Sequence, residues 1–158
     1  MESGRQVLVF MIGPHRACFA LEEVVQVYDA VSYEPVSGTH PSVMGMINIR
    51  GQMAPLIDIR PRWQLNSYPI DLSEQIVVFQ CHGITVSIIV DKVIGTRTIP
   101  AQKIISLASL VEENFPHYVI ATPEGIISLL TCDDLFSKEF LAPFELAGAT
   151  QENTEEQV

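Results

Sequence analysis

Five places in this chain set out side chains that could do chemistry. Cys81-His82 sets a thiol beside an imidazole, the two groups that a cysteine nucleophile and its base require. Asp133-Asp134 could act as an acid pair or as metal ligands. Glu22-Glu23 and Asp91-Lys92 place charge next to apolar runs. The fifth is Arg50, in the stretch MGMINIRGQMAPLIDIR (44–60), a permanent charge at the end of an almost wholly apolar run.

The catalytic readings are weak. Neighbouring strand residues face opposite ways, so Cys81 and His82 do not make a nucleophile–base pair by themselves. A buried thiol beside a polar turn residue is the simpler expectation. Asp133-Asp134 falls where a short helix should begin, and acids there cap the helix and complement its dipole. Glu22-Glu23 and Asp91-Lys92 are expected to be solvated turn residues. His15, His40 and His117 are scattered. The chain has no GxxxxGK[ST], GxGxxG, HExxH or GxSxG, and no Cys/His cluster at ligand spacing. No catalytic residue, metal site or cofactor is therefore expected.

Composition narrows the class further. Of 158 residues, 47% are hydrophobic and 18% charged, which describes a folded chain with a real core. The formal net charge of −10 makes a phosphate backbone a poor partner, so no nucleic acid is expected. No apolar run approaches the roughly 18 residues of a membrane span, and no direct membrane insertion is expected. The start, MESGRQVLVFMIG, has no positive segment followed by a long apolar core, so it does not read as a signal peptide. Cys18, Cys81 and Cys132 are widely spaced and odd in number, which fits reduced thiols in a cytosolic protein.

The elements that must position these groups are short and rich in Val and Ile. About ten segments read as strands, among them QVLVFMIG (6–13), MGMINIR (44–50), QIVVFQC (75–81), ITVSIIV (84–90) and GIISLL (126–130). Turn residues separate them, and one short helix is expected from Thr131 to about Phe140. A helical turn at Leu21–Val24 is a further expectation. The class is all-β. The chain also repeats itself: Gln6–Phe10 lines up with Gln75–Phe79 at an offset of 69, and Val24 then falls on Val93. Gly51 and Leu56 match Gly125 and Leu130 if five residues are inserted. Two duplicated five-stranded units, each curled into a small barrel to remove its edges, fit this pattern. The linker is Pro61–Ser73, and the last stretch, polar with four glutamates and no base, reads as a disordered tail.

Around Arg50 the expected turn is Gly51-Gln52, type II′, which pairs Arg50 with Met53, Asn48 with Pro55 and Met46 with Ile57. Arg50, Asn48, Met46, Met53 and Ile57 then share one face, while Asp58 lies on the other. An Arg50–Asp58 salt bridge is excluded in this register. Two readings of Arg50 stay open. It either pairs with another acid of the fold, or meets a partner as a rigid donor beside adaptable methionines.

The residues Gly45-Met-Ile-Asn48-Ile-Arg50-Gly51, followed by Pro55-Leu-Ile-Asp58-Ile-Arg60, resemble the hallmark of CheW-like domains, the chemotaxis coupling proteins. That pattern runs G-x-x-N-L-R-G and then P-V-h-D-L-R, where h is apolar. Here Ile replaces Leu at 49 and 59, and Leu56 replaces Val. Ile88–Val93 and Gly125–Phe136 resemble later segments of the same family, and the likeness spans about residues 5–140. It implies two SH3-like barrels sharing a core in a single domain at 5–142, with halves at about 5–65 and 74–140 intertwined, a short tail at 1–4 and an acidic tail at 143–158. It implies an adaptor with no enzymatic activity, cytoplasmic and placed at receptor arrays. Its partners would be the tip of a methyl-accepting chemoreceptor and the regulatory domain of a CheA-like histidine kinase. The receptor-binding Arg of the family falls on Arg50, with Asn48, Met53, Met46, Val27 and Ile88 as further receptor contacts. Gly51, Pro55 and Asp58 then support the hairpin. A similar scaffold in a pilus or second-messenger pathway, or a small-ligand-binding β-barrel, remains the alternative.

Overall fold

Val and Ile fill the short segments because branched side chains pack well on a pleated surface. The computed structural model describes residues 4–30, 43–63, 65, 73–107, 118–136 and 139–143. These form eleven strands: β1 (Arg5–Ile12), β2 (His15–Ala20), β3 (Val24–Asp29), β4 (Val43–Ile49), β5 (Gln52–Ile57), β6 (Gln75–Cys81), β7 (Ile84–Val90), β8 (Lys92–Ile99), β9 (Ile104–Ser106), β10 (Tyr118–Thr122) and β11 (Gly125–Leu129). A helix, α1 (Cys132–Leu135), follows, and residues 139–143 are helical again. Leu21–Glu23 makes the expected helical turn, as a 3₁₀ turn. Most of the linker lies outside the described residues, as does all of the acidic tail except Pro143.

The strands form two sheets, in the orders β3-β6-β7-β5-β4 and β8-β1-β2-β11-β10-β9. The two orders are the same order. Adding 69 to β1, β2 and β3 gives β6, β7 and β8, and the pairings follow: Val24 opposes Phe79, and Val93 opposes Phe10. Even the irregularities repeat. A bulge leaves Val25 unpaired in the first sheet and Ile94 unpaired in the second, and both side chains are exposed. The closing hairpins match at an offset of 73, because Leu56 pairs with Ser87 where Leu129 pairs with Cys18. That corrects the sequence alignment by one residue: Gly51 corresponds to Glu124, not Gly125. Among the described residues, the edge strand β9 of the second sheet has no counterpart in the first.

Each sheet takes strands from both repeats. β6 and β7 complete the first barrel, and β1 and β2 complete the second. Each barrel has its own interior: Ile47, Ala54, Leu56, Ile76, Val78 and Ile89 in the first, and Val7, Val9, Cys18, Ile120, Ile127 and Leu129 in the second. The opposite faces of both sheets meet in a third and larger core. It holds Phe10, Phe19, Val77, Phe79, Val86, Ile88 and, from the C-terminal helical region, Leu135, Phe136 and Leu141. Phe19 and Phe79 lie there with ring centroids 4.3 Å apart. Strands β6 and β7 are apolar on both faces because one face lines a barrel and the other lines the shared core.

Candidate docking surface at the Arg50 hairpin

Strands β4 and β5 pair antiparallel with Ile49 opposite Gln52, Asn48 opposite Met53 and Met46 opposite Pro55. The two-residue turn is thus Arg50-Gly51 and not Gly51-Gln52. Both turn residues have positive φ, 52° and 86°, as in a type I′ turn. The expected pairing was displaced by two positions. Its faces survive, because a shift of two preserves the alternation of side chains. Types I′ and II′ both suit the strand twist, and the Asn48 side chain favours the observed one. Asn48 Oδ1 accepts a 2.7 Å hydrogen bond from the Gly51 amide. Asn48 therefore braces the turn. Gly51 serves it too, since a glycine adopts φ +86° without strain.

Arg50 occupies a left-handed conformation that costs an L-residue about 1–2 kcal/mol. At the tip its side chain is exposed. Its Nη2 donates to Gln26 Oε1 on β3 at 3.3 Å, a contact with a neutral amide. Among the described residues no carboxylate lies within ion-pair distance of it. A strained, charged residue without a charged partner is poorly explained by folding alone.

Met46 and Met53 are half-buried on the face that Asn48 shares, and Val27 is half-buried on β3. Met46 and Met53 thus sit on the strands that lead to the Arg50 tip, and Val27 follows Gln26, which accepts from the guanidinium. Ile88, expected among the contacts, does not belong there. It is fully buried in the shared core, level with Val77 and Ile57, where the inter-barrel packing covers its whole side chain. Pro55 is buried, and its carbonyl accepts from Ser87 Oγ at 2.7 Å, fastening β5 to β7.

Asp58 supports the far end of the hairpin and not its tip. It is buried and accepts the Arg60 backbone amide at 3.0 Å. The Arg60 side chain is 1% exposed and lies among Asp58, Glu74 and Asp91, with Glu74 in direct contact and Asp91 at 3.6 Å. Asp91 also accepts the Gly13 amide at 2.8 Å. The expectation of a solvated turn for Asp91 is thus overturned: it joins the two repeats, and the Gly13 amide and Arg60 hold it in place. Sequence reasoning missed this cluster. The ingredients were the last Arg of the second motif and an acid at a turn 31 residues later, with nothing in their spacing to link them.

The second barrel offers a contrast at the equivalent tip, Pro123-Glu124. There Glu124 meets Arg97 of β8 at 3.5 Å. Its own backbone amide and the Thr122 hydroxyl hold its carboxyl below the usual range, with Arg97 and Arg16 adding to the effect. The matching face carries Val119, Ala121 and Ile126, and neither turn residue is an arginine. Elsewhere, His82 lies 2.8 Å from Asp133, both from the second repeat, and Thr131 caps Asp134 through its side chain. His82 faces this carboxylate and does not activate the adjacent Cys81, whose sulfur is joined to Cys132.

The comparisons with known proteins agree with this architecture. Two relatives named chemotaxis protein CheW, from Rhizobium meliloti and Bacillus subtilis, are 26% and 23% identical to this chain. The matches cover 86% and 88% of this chain and 90% and 91% of theirs. The crystal structure of the scaffolding protein TtCheW from Thermoanaerobacter tengcongensis superposes with a TM-score of 0.74 at 21% identity, covering 81% of this chain and 89% of that one, and shows the same fold. Residues 6–140 match the family described as the CheW-like domain. With that match across most of its length, and two exchanged SH3-like barrels around a shared core, the chain belongs to the CheW-like domain family.

Proposed function

We propose that this chain is a non-catalytic adaptor that couples the cytoplasmic tip of a methyl-accepting chemoreceptor to the regulatory domain of a CheA-like histidine kinase. The observation that carries the reading is Arg50: exposed, held in a strained turn and, among the described residues, bonded to a neutral amide alone, on a hairpin with half-buried methionines. A receptor tip is a helical hairpin. Met46, Met53 and Val27 would bury its apolar side chains, and methionine adapts to such a surface. Arg50 would donate a charge-assisted hydrogen bond to a carboxylate or carbonyl and so set the register. Asn48 and Gly51 keep the tip rigid, so little order is lost on docking. Signal would pass as a change in the populations of assembled arrangements.

The test is co-sedimentation of receptor cytoplasmic fragments and kinase with wild-type chain or Arg50→Ala. Wild type should join the assembly and the variant should be depleted from it, with both equally folded by circular dichroism. Equal recruitment of a folded Arg50→Ala chain would overturn the reading.

A further inference from the structure

The repeat provides a control for every position, and one pair fails to match its counterpart in chemistry. Cys81 ends β6 and Cys132 opens α1; at offsets of 69 and 73 their counterparts are Ile12 and Ile59. Both isoleucines are buried in the shared core. Apolar side chains therefore satisfy the packing at one end of that core, and at the other end the same two places hold thiols. Their Cα atoms are 5.4 Å apart, a separation that a disulfide spans without backbone movement, and the structure joins them. The expectation of three reduced thiols is corrected for this pair, whose 51-residue separation hid it. Cys18 stays buried and alone, its thiol pushed up to about 12 by burial.

The location gives the bond a consequence. Cys81 belongs to the first barrel, whereas Cys132 follows the last strand of the second. Next to it, His82 and Asp133 make a parallel, non-covalent tie at 2.8 Å. Beyond Cys132, Leu135, Phe136 and Leu141 enter the core between the barrels, and Phe136 stacks 6.2 Å from Phe79 of β6. Cys81 is fully buried and Cys132 is half-buried, with its sulfur 3.4 Å from the Gln80 carbonyl. Cys132 is thus the sulfur that an oxidant can reach, and Cys81 the one that resolves it.

We propose that Cys81 and Cys132 form a redox-sensitive latch that fastens the C-terminal helical segment across the two barrels. The oxidant is a peroxide. The Cys132 thiol releases its proton and the thiolate attacks one peroxide oxygen; the O–O bond breaks, the sulfur keeps a hydroxyl as sulfenic acid, and the displaced hydroxide takes up the released proton as water. The Cys81 thiol then attacks the Cys132 sulfur, its proton leaves with the hydroxyl as a second water, and the S–S bond forms. A dithiol reverses this by two exchange steps, ending as its own disulfide.

The full chain is first reduced with dithiothreitol, then treated with hydrogen peroxide and mapped by mass spectrometry beside Cys18→Ser, Cys81→Ser and Cys132→Ser. A Cys81–Cys132 peptide, lighter by two hydrogen atoms, should appear in wild type and Cys18→Ser alone. Oxidation should raise the melting midpoint by roughly 5–10 °C and increase amide protection over residues 130–136. Comparing wild type in its two redox states keeps the test valid if a serine variant fails to fold. Absence of the linked peptide, linkage through Cys18, or a linked chain with unchanged midpoint and protection would each overturn the latch.

Discussion

The two ends of β5 each carry an arginine from one short stretch of sequence, and the fold treats them oppositely. Arg60 is 1% exposed and surrounded by Asp58, Glu74 and Asp91. Arg50 stands at the tip, exposed, with an amide for company. A guanidinium in the interior is tolerated only when carboxylates meet it, because desolvating an unpaired ion costs several kcal/mol. A guanidinium at a hairpin tip needs no such company, and its left-handed backbone would be better served by Asn or Gly. The contrast separates a charge that the fold requires from one that the fold merely displays.

The largest effect should come from breaking the first kind. Arg60→Met removes the cation and leaves three carboxylates crowded together, so the chain should lose about 3–5 kcal/mol of stability in urea titration. A near-neutral result would show that Arg60 is as dispensable to folding as Arg50. Next, Arg50→Ala should weaken receptor binding by about 1–3 kcal/mol, roughly 5- to 150-fold in Kd by calorimetry. Its unfolding free energy by urea titration should stay within about 0.5 kcal/mol of wild type. Asn48→Ala should cost about 1 kcal/mol of stability by removing the turn's bracing acceptor, with loss of binding following from a looser tip. The smallest effect sharpens the comparison most. Arg50→Asn should stabilise the fold by a few tenths of a kcal/mol, since Asn suits the left-handed region, while receptor binding falls as far as in Arg50→Ala. Coupled loss of stability and binding in that variant would make Arg50 a structural residue.

Much of this was legible in the sequence because alternation and turn chemistry act locally. The strands, the repeat and the two faces of the Arg50 hairpin all follow from side chains two residues apart. The turn itself was ambiguous. Gly51 can open a type II′ turn or close a type I′ turn, and only the Asn48–Gly51 bond decides between them. Ile88 was misplaced for another reason. Alternation predicts one covered face per strand, but β7 lies between a barrel interior and the shared core and is buried on both. Arg60 with Asp91 was unreadable because the partner comes from the other repeat, and Cys81 with Cys132 because the two stand 51 residues apart on different barrels, contacts that no local pattern encodes.

The exchange of strands between the repeats bears on the origin of the chain. Residues up to the linker supply β1 and β2 to one barrel and β3 to β5 to the other, so neither barrel can close from one repeat. A half-length ancestor with these pairings would have had to be a homodimer, each copy lending two strands to its twin. Gene fusion would then have freed the two copies to diverge, leaving one tip with Arg50 and the other with Glu124.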